Sequence, residues 1–197
     1  MQTQTGKRIA IIQGHPDSKE AHFFCHALAW AYDAGARTAG HEVRTIDVSQ
    51  LKFPLIQNQR DFEHGEVPAD IRKAQADILW ANHLLICYPL WLGTLPALLK
   101  GFFEQTFRYG FAIENSVKPK RLLKGRSARI VVTMGMPAAV YRYYFRAHGL
   151  KSLESGILKI SGVGPVHASL IGLVELGGAA YRAKWLDKLR KLGGAAK

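Results

Sequence analysis

The chain has 197 residues, 48% hydrophobic and 21% charged, which is the usage of an ordered globular protein and excludes a disordered tail. A chain of this length buries roughly 70% of its unfolded surface, so a single domain needs neither metal nor disulfides to fold. The formal charge of +12 favours anionic partners without choosing among phosphorylated cofactors, nucleic acid and acidic membranes.

The start, MQTQTGKRIAIIQGHPD, lacks the long apolar segment and cleavage site of a signal peptide. Cys25 and Cys87 both sit in apolar runs, without the regular spacing of a secreted disulfide framework. A reducing, cytoplasmic location is therefore expected. No apolar stretch reaches the ~20 residues of a membrane helix, so no span is expected. Arg8 to Gln13 reads as a strand buried on both faces and stopped by Gly14. Ala21 to Thr38 carries Phe24, Leu28, Ala31, Tyr32 and Ala36 at helical spacing, with Gly40 as a stop. There follow a strand at Glu42 to Val48, a long loop to Pro68, a helix at Ala69 to Trp80, a strand at His83 to Tyr88 and a helix at Leu95 to Phe107. Ala128 to Met134 is the fourth strand, Leu150 to Ile160 a helix, Val166 to Val174 the fifth strand and Gly178 to Leu192 a basic amphipathic helix. Strands alternating with helices predict an α/β protein: one domain over residues 1–197, about 8–192 forming the core, with a doubly wound five-stranded parallel sheet covered by helices on both faces.

In such sheets ligands bind beyond the carboxyl ends of the strands, where strand order reverses. Three loops should meet there: Gly14 to Glu20, Tyr88 to Thr94 and Gly135 to Arg146. The first joins a strand to a helix start, which suits a phosphate with His15 and Ser18 as added donors; the alternative is a turn capped by Asp17 or Ser18. It is neither a P-loop nor a GxGxxG turn. The second, YPLWLGTLP, places Trp91 and Leu92 where polar turn residues are usual. A flat heteroaromatic ring would account for them, and so would a subunit interface or a fold back onto the core. The third supplies Thr133, Gly135, Tyr141, Tyr143, Tyr144, Phe145 and His148, a set suited to donating protons or hydrogen bonds near a redox ring, or to packing. His22 and His26 stand four apart without a third ligand, so no metal site is expected. His41, His64 and His167 read as solvent-facing or structural. The basic run Lys118, Lys120, Arg121, Lys124, Arg126 and Arg129 reads as a solvated face, without a recognised nucleic-acid motif.

Four segments carry a family resemblance: GHPDSKEAHFFCHAL, YPLWLGTLPALLKGFFEQTF, TMGMPAAVYRYYFRAHG and LKSLESGILKISGVGPV. With them, the chain resembles the flavodoxin-like NAD(P)H:quinone oxidoreductases, the group of DT-diaphorase, the modulator-of-drug-activity-type reductases and the ancillary oxidoreductases of potassium efflux systems. The resemblance implies a flavodoxin-like fold, non-covalent FAD or FMN, NAD(P)H as hydride donor, a quinone or similar aromatic acceptor reduced by two-electron ping-pong transfer, and a homodimer. It places His15, Phe24 and Cys25 on the phosphate side of the flavin, Cys25 standing where an asparagine is common. It places Pro89, Leu90, Trp91 and Leu92 along the ring, and Thr133, Met134, Gly135 and Met136 at its polar edge. Tyr141 and His148 match the pair that stabilises charge and passes a proton, with Tyr143 or Tyr144 as alternatives to Tyr141. The competing readings are a regulatory flavoprotein subunit of a membrane transporter and a basic nucleic-acid-binding protein.

Overall fold

The computed structural model describes residues 6–17, 23–114, 116–117 and 119–197. Five strands, β1 (Arg8–Gln13), β2 (Glu42–Asp47), β3 (His83–Pro89), β4 (Ser127–Thr133) and β5 (Val166–Ile171), form one parallel sheet in the order β2-β1-β3-β4-β5. The chain winds outward from β1 in both directions, which is the doubly wound topology expected. Each central strand has near-continuous apolar character because both of its faces are covered. On β1, Ile9 and Ile11 face one core and Ala10 and Ile12 the other. On β3, Leu85 and Cys87 share the first core, and Leu84, Ile86 and Tyr88 the second.

Helices α1 (Phe24–Thr38) and α6 (Gly178–Gly194) cover the first face. Helices α3 (Ala69–Trp80), α4 (Ala97–Thr106) and α5 (His148–Lys151) cover the second, and α5 runs on into a π-helical stretch, Ser152–Lys159. Among the described residues no helix is long and apolar enough to cross a membrane. The expected boundaries differ from the observed ones by a few residues at strand and helix ends. The larger difference lies between β2 and α3, where a long loop is replaced by a 3₁₀ turn (Val48–Gln50) and a short helix α2 (Gln59–His64). Local chemistry accounts for α2. The Asn58 side chain accepts from the Asp61 N–H at 2.9 Å, and Arg108 donates to the Asp61 and Gly65 carbonyls at 3.1 and 2.7 Å, holding the far end.

Two glycines set the distance between α1 and α6. A Cβ on Gly35 would lie 1.9 Å from the Arg190 carbonyl oxygen, and one on Gly193 would lie 2.0 Å from that of Tyr32. Backbone rather than a flexible side chain is in the way, so the helices would have to separate. Gly193→Val should cost about 1–3 kcal/mol, read as a lower urea midpoint at unchanged slope. An unchanged midpoint would show that the crossing has slack.

At the opposite end of the sheet from the strand carboxyl ends, His83 is buried with Nδ1 2.7 Å from the Ser127 hydroxyl and Nε2 without a partner among the described residues. Burial, reinforced by the charges of Lys7 and Arg129, pushes its pKa down from 6.5 to about 3. The unfolded chain therefore binds a proton here that the folded chain refuses. Its stabilising effect is complete above pH 6.5 and is lost progressively as the pH falls toward about 3. His83→Gln should make the loss of stability between pH 6.5 and 3.5 shallower than in the wild type, by urea unfolding across that range. Parallel curves would remove His83 from the acid response.

Candidate functional site

Beyond the carboxyl ends of β1, β3, β4 and β5 lies a cleft of about 520 Å³, lined by His15, Asp17, Phe23, Phe24, Cys25, Pro89, Leu90, Trp91, Thr133, Met134, Gly135, Val174 and Glu175. Nine of the residues that the resemblance assigns to the flavin meet here: His15, Phe24, Cys25, Pro89, Leu90, Trp91, Thr133, Met134 and Gly135. The β1 loop and the first turn of α1 form one wall. His15 stacks on Phe23 with ring centroids 4.1 Å apart and meets the Trp91 ring edge-on at 6.3 Å. Its N–H donates to Gln13 Oε1 at 3.3 Å, and its Nδ1 lies 2.9 Å from the Asp17 carbonyl. Burial pushes the His15 pKa below its ordinary value, against the backbone of Asp17, which raises it. The imidazole is accordingly neutral at pH 7 and offers a hydrogen bond, not a charge.

The first turn of α1 carries no acidic residue and no side-chain cap among the described residues. Its N-terminal N–H groups and dipole make this wall suited to an anion. Ser18 lies outside the described residues.

The β3–α4 loop forms the second wall. Trp91 and Thr94 exchange backbone hydrogen bonds at 2.9 and 3.0 Å, closing a two-residue turn in which Leu92 and Gly93 have φ of 47° and 82°. Two consecutive left-handed residues are what a type I′ turn requires. This turn directs Leu92 into solvent, fully exposed, while Trp91 stays half-exposed over the cleft. Leu92, expected along a ring, does not line the cleft. The third wall follows β4. Leu90 N–H donates to the Thr133 carbonyl at 2.8 Å, and Gly135, where an added Cβ would meet nothing within 4 Å, leaves that wall open. Met136 is also displaced from the cleft, packing on the core beneath it while its carbonyl accepts from the Leu173 N–H at 3.2 Å.

Tyr141 and His148 do not line the cleft; they sit behind the Trp91–Thr94 turn. The Tyr141 ring is buried, its hydroxyl donating to the Gly93 carbonyl at 3.4 Å and accepting from the Leu150 N–H at 3.0 Å. Burial raises the Tyr141 pKa, partly offset by that Leu150 N–H. The backbone beside His148 approaches the same turn so closely that a Cβ on Gly149 would lie 2.3 Å from the Gly93 oxygen. His148 is exposed, as are Tyr143 and Tyr144. Val174 and Glu175 were missed by sequence reasoning. They follow β5, whose place beside β4 brings a fourth loop to the cleft through Val174 N–H on the Met134 carbonyl at 3.3 Å. The signal was present in the predicted fifth strand, since its loop must leave from the same end of a parallel sheet.

Another cleft, of about 370 Å³, opens between α4 and the π-helical stretch, away from the strand ends, and is lined by Phe62, Phe103, Phe107, Ile113 and Ile157 with Lys100 and Glu104 at its rim. It lacks the convergent strand-end loops that make the first cleft a site. Among the described residues no cluster of three or more His, Cys, Asp or Glu could hold a metal ion.

The family model described by its flavodoxin-like fold matches residues 7–192 of the chain. An uncharacterized NAD(P)H oxidoreductase of Haemophilus influenzae is 27% identical over 171 residues, 84% of each chain. The NAD(P)H dehydrogenase (quinone) 1 of Cavia porcellus is 27% identical over 157 residues, covering 68% of this chain; the chain aligns with only 56% of that longer protein. In three dimensions the NAD(P)H:quinone oxidoreductase from Methanothermobacter marburgensis superposes with a TM-score of 0.81 at 24% identity, over 98% of this chain and 100% of the other.

Removing the Tyr141 hydroxyl leaves the buried Leu150 N–H without its acceptor and unties the turn. Tyr141→Phe should lose about 1–3 kcal/mol of stability. The check is a urea titration of the two proteins side by side; equal midpoints would mean that the hydroxyl holds nothing in place.

Proposed function

The chain belongs to the flavodoxin-like family of NAD(P)H oxidoreductases, and from that premise we propose that it binds FMN or FAD non-covalently in the strand-end cleft and transfers electrons from NAD(P)H to a quinone or similar aromatic acceptor. The observation that carries this reading is the pairing, in one cleft, of a helix start with no side-chain cap among the described residues and an apolar slot between Trp91 and the Thr133–Gly135 segment. The first suits a phosphate and the second a flat ring.

On this reading the first-turn N–H groups of α1, with neutral His15 and with Ser18, receive the flavin phosphate. Leu90 and Trp91 lie along the ring, excluding water from one side. Thr133, Met134 and Gly135 offer the ring's polar edge a hydroxyl and backbone groups. The absence of a Cβ on Gly135 keeps that edge approachable. When bound, the flavin supplies two-electron hydride chemistry, accepting from NAD(P)H and giving to the acceptor in separate, ping-pong half-reactions. Tyr141 acts as a positioning residue, fixing the Trp91–Thr94 turn through Gly93. His148, exposed and outside the cleft lining, is assigned the exchange of protons with solvent that accompanies reduction of the acceptor.

Trp91 and Leu92 on the β3–α4 turn and Tyr143, Tyr144 and Phe145 after β4 are large exposed apolar side chains, and a second copy of this chain supplies their cover in the proposal. A transporter partner has no such feature in its favour among the described residues.

Protein purified without added cofactor, or incubated with FMN and FAD, should show a flavin spectrum that bleaches with NADH or NADPH under anaerobic conditions and returns on adding a quinone. Failure to bind either flavin would overturn the reading. Trp91→Ala should weaken flavin binding by roughly tenfold or more, whereas His148→Gln should keep the flavin and lower kcat by about tenfold or more. Unchanged flavin affinity in the first, or unchanged kcat in the second, would remove that residue from its role.

A further inference from the structure

Cys25 and Cys87 are far apart in sequence and adjacent in the fold. Cys25 stands in the first turn of α1 and lines the cleft; Cys87 stands on β3, opposite Gln13 of β1, and is fully buried. Both are free thiols, and their sulfurs lie 3.2 Å apart. The Cys87 thiol also donates to the Cys25 carbonyl at 3.3 Å, so α1 and β3 are already joined at this point. A disulfide has its sulfurs about 2.05 Å apart, so bonding needs an approach of only about 1 Å. Buried cysteines often pack as small apolar residues. This pair differs in that the two thiols face each other and Cys25, itself buried, belongs to the wall of a cleft, so a small oxidant reaches it when that wall opens transiently.

We propose that Cys25 and Cys87 are a reversible oxidation site, forming an intramolecular disulfide that weakens the cleft's hold on its cofactor. With a peroxide as oxidant, the Cys25 sulfur attacks one peroxide oxygen, the O–O bond breaks, and the released hydroxide takes the thiol proton as water. The resulting sulfenic acid is then attacked by Cys87; the S–S bond forms, the S–O bond breaks, and a second water leaves with the Cys87 proton. Two thiols are oxidised by two electrons and one peroxide is reduced to two waters. Two equivalents of a small-molecule thiol reverse the change by exchange. Burial pushes the Cys25 thiol well up, and the neighbouring Cys87 thiol adds to this. The thiolate is the reacting form, so the reaction answers sustained oxidant exposure and is slow.

The link to the cleft runs through Gln13. Its Oε1 accepts from the Cys25 thiol at 3.6 Å and from the His15 N–H at 3.3 Å. Disulfide formation removes the first donor and draws the start of α1 toward β3, disturbing the wall assigned to the flavin phosphate. This second half of the proposal rests on the flavin reading; the oxidation itself does not.

The whole chain is treated with hydrogen peroxide or diamide, denatured, alkylated and weighed, with Cys87→Ala and Cys25→Ser treated alongside. The expected result is loss of both alkylatable thiols, a mass lower by two hydrogens before alkylation, one Cys25–Cys87 linked peptide, and full recovery with dithiothreitol. Neither variant should form the link, so failure of one of them to fold leaves the comparison intact. Two alkylated thiols after treatment, or Cys25 carrying added oxygen with Cys87 unchanged, would overturn the oxidation site. FMN binding, measured by fluorescence quenching, should weaken severalfold in oxidised wild type and stay constant in treated Cys87→Ala. Equal binding by oxidised and reduced wild type would overturn the link to the cleft. A reduced protein that binds no flavin would instead reject the functional reading, and that link with it, while the mass result still decides the oxidation.

Discussion

Strand β1 pairs in register with β2 on one side and β3 on the other, and the rest of the molecule follows from that double pairing. Parallel strands cannot be joined by tight hairpins, so each connection must cross a face of the sheet. Because the chain leaves β1 toward one edge and returns past it toward the other, α1 lies on one face and α3 on the opposite one. The loops above β1 and β3 therefore diverge, and a crevice opens between them. The cleft is a consequence of strand order, and the residues on its walls are those that happen to end β1, β3 and β4, joined by the loop that follows β5.

The crevice is held open by rigid surroundings. On one side, Gly35 and Gly193 let α1 and α6 approach to backbone contact, so the helix whose first turn forms a wall has little freedom to shift. On the other, the Trp91–Thr94 turn is closed by its own two hydrogen bonds and tied from behind by Tyr141. Leu92 in the left-handed region costs about 1–2 kcal/mol relative to an ordinary backbone. The turn keeps this geometry because its own two hydrogen bonds and the tie from Tyr141 offset that cost.

Charge plays a different part from the one its total suggests. The chain carries +12, yet among the described residues the cleft lining contains Asp17 and Glu175 and neither lysine nor arginine. An anion entering it would be held by helix N–H groups and a neutral imidazole. Arg129, Arg142 and Lys188 converge instead on a separate hollow at the free edge of β5. Net charge draws anions toward the molecule as a whole, whereas the local donors decide where one is bound. The same distinction applies to the cysteines: Cys25 and Cys87 are unremarkable in composition, and only their facing arrangement gives them chemistry.

The order of elements was legible from the sequence because strands buried on both faces are written as short, unbroken apolar runs such as RIAIIQ and HLLICYP. Helix spacing and proline or glycine stops supplied the rest, and with a parallel sheet the end at which ligands bind follows. Residues at the strand ends, His15, Trp91, Thr133 and Gly135 among them, could thus be named in advance. The short helix α2 could not, because its far end is held by Arg108, more than forty residues away. The outward turn of Leu92, the burial of Tyr141 behind the loop, the arrival of Val174 and Glu175 and the meeting of Cys25 with Cys87 were likewise decided in three dimensions. Periodicity reports which face of an element is apolar, and it carries no information about which distant side chain that face will meet.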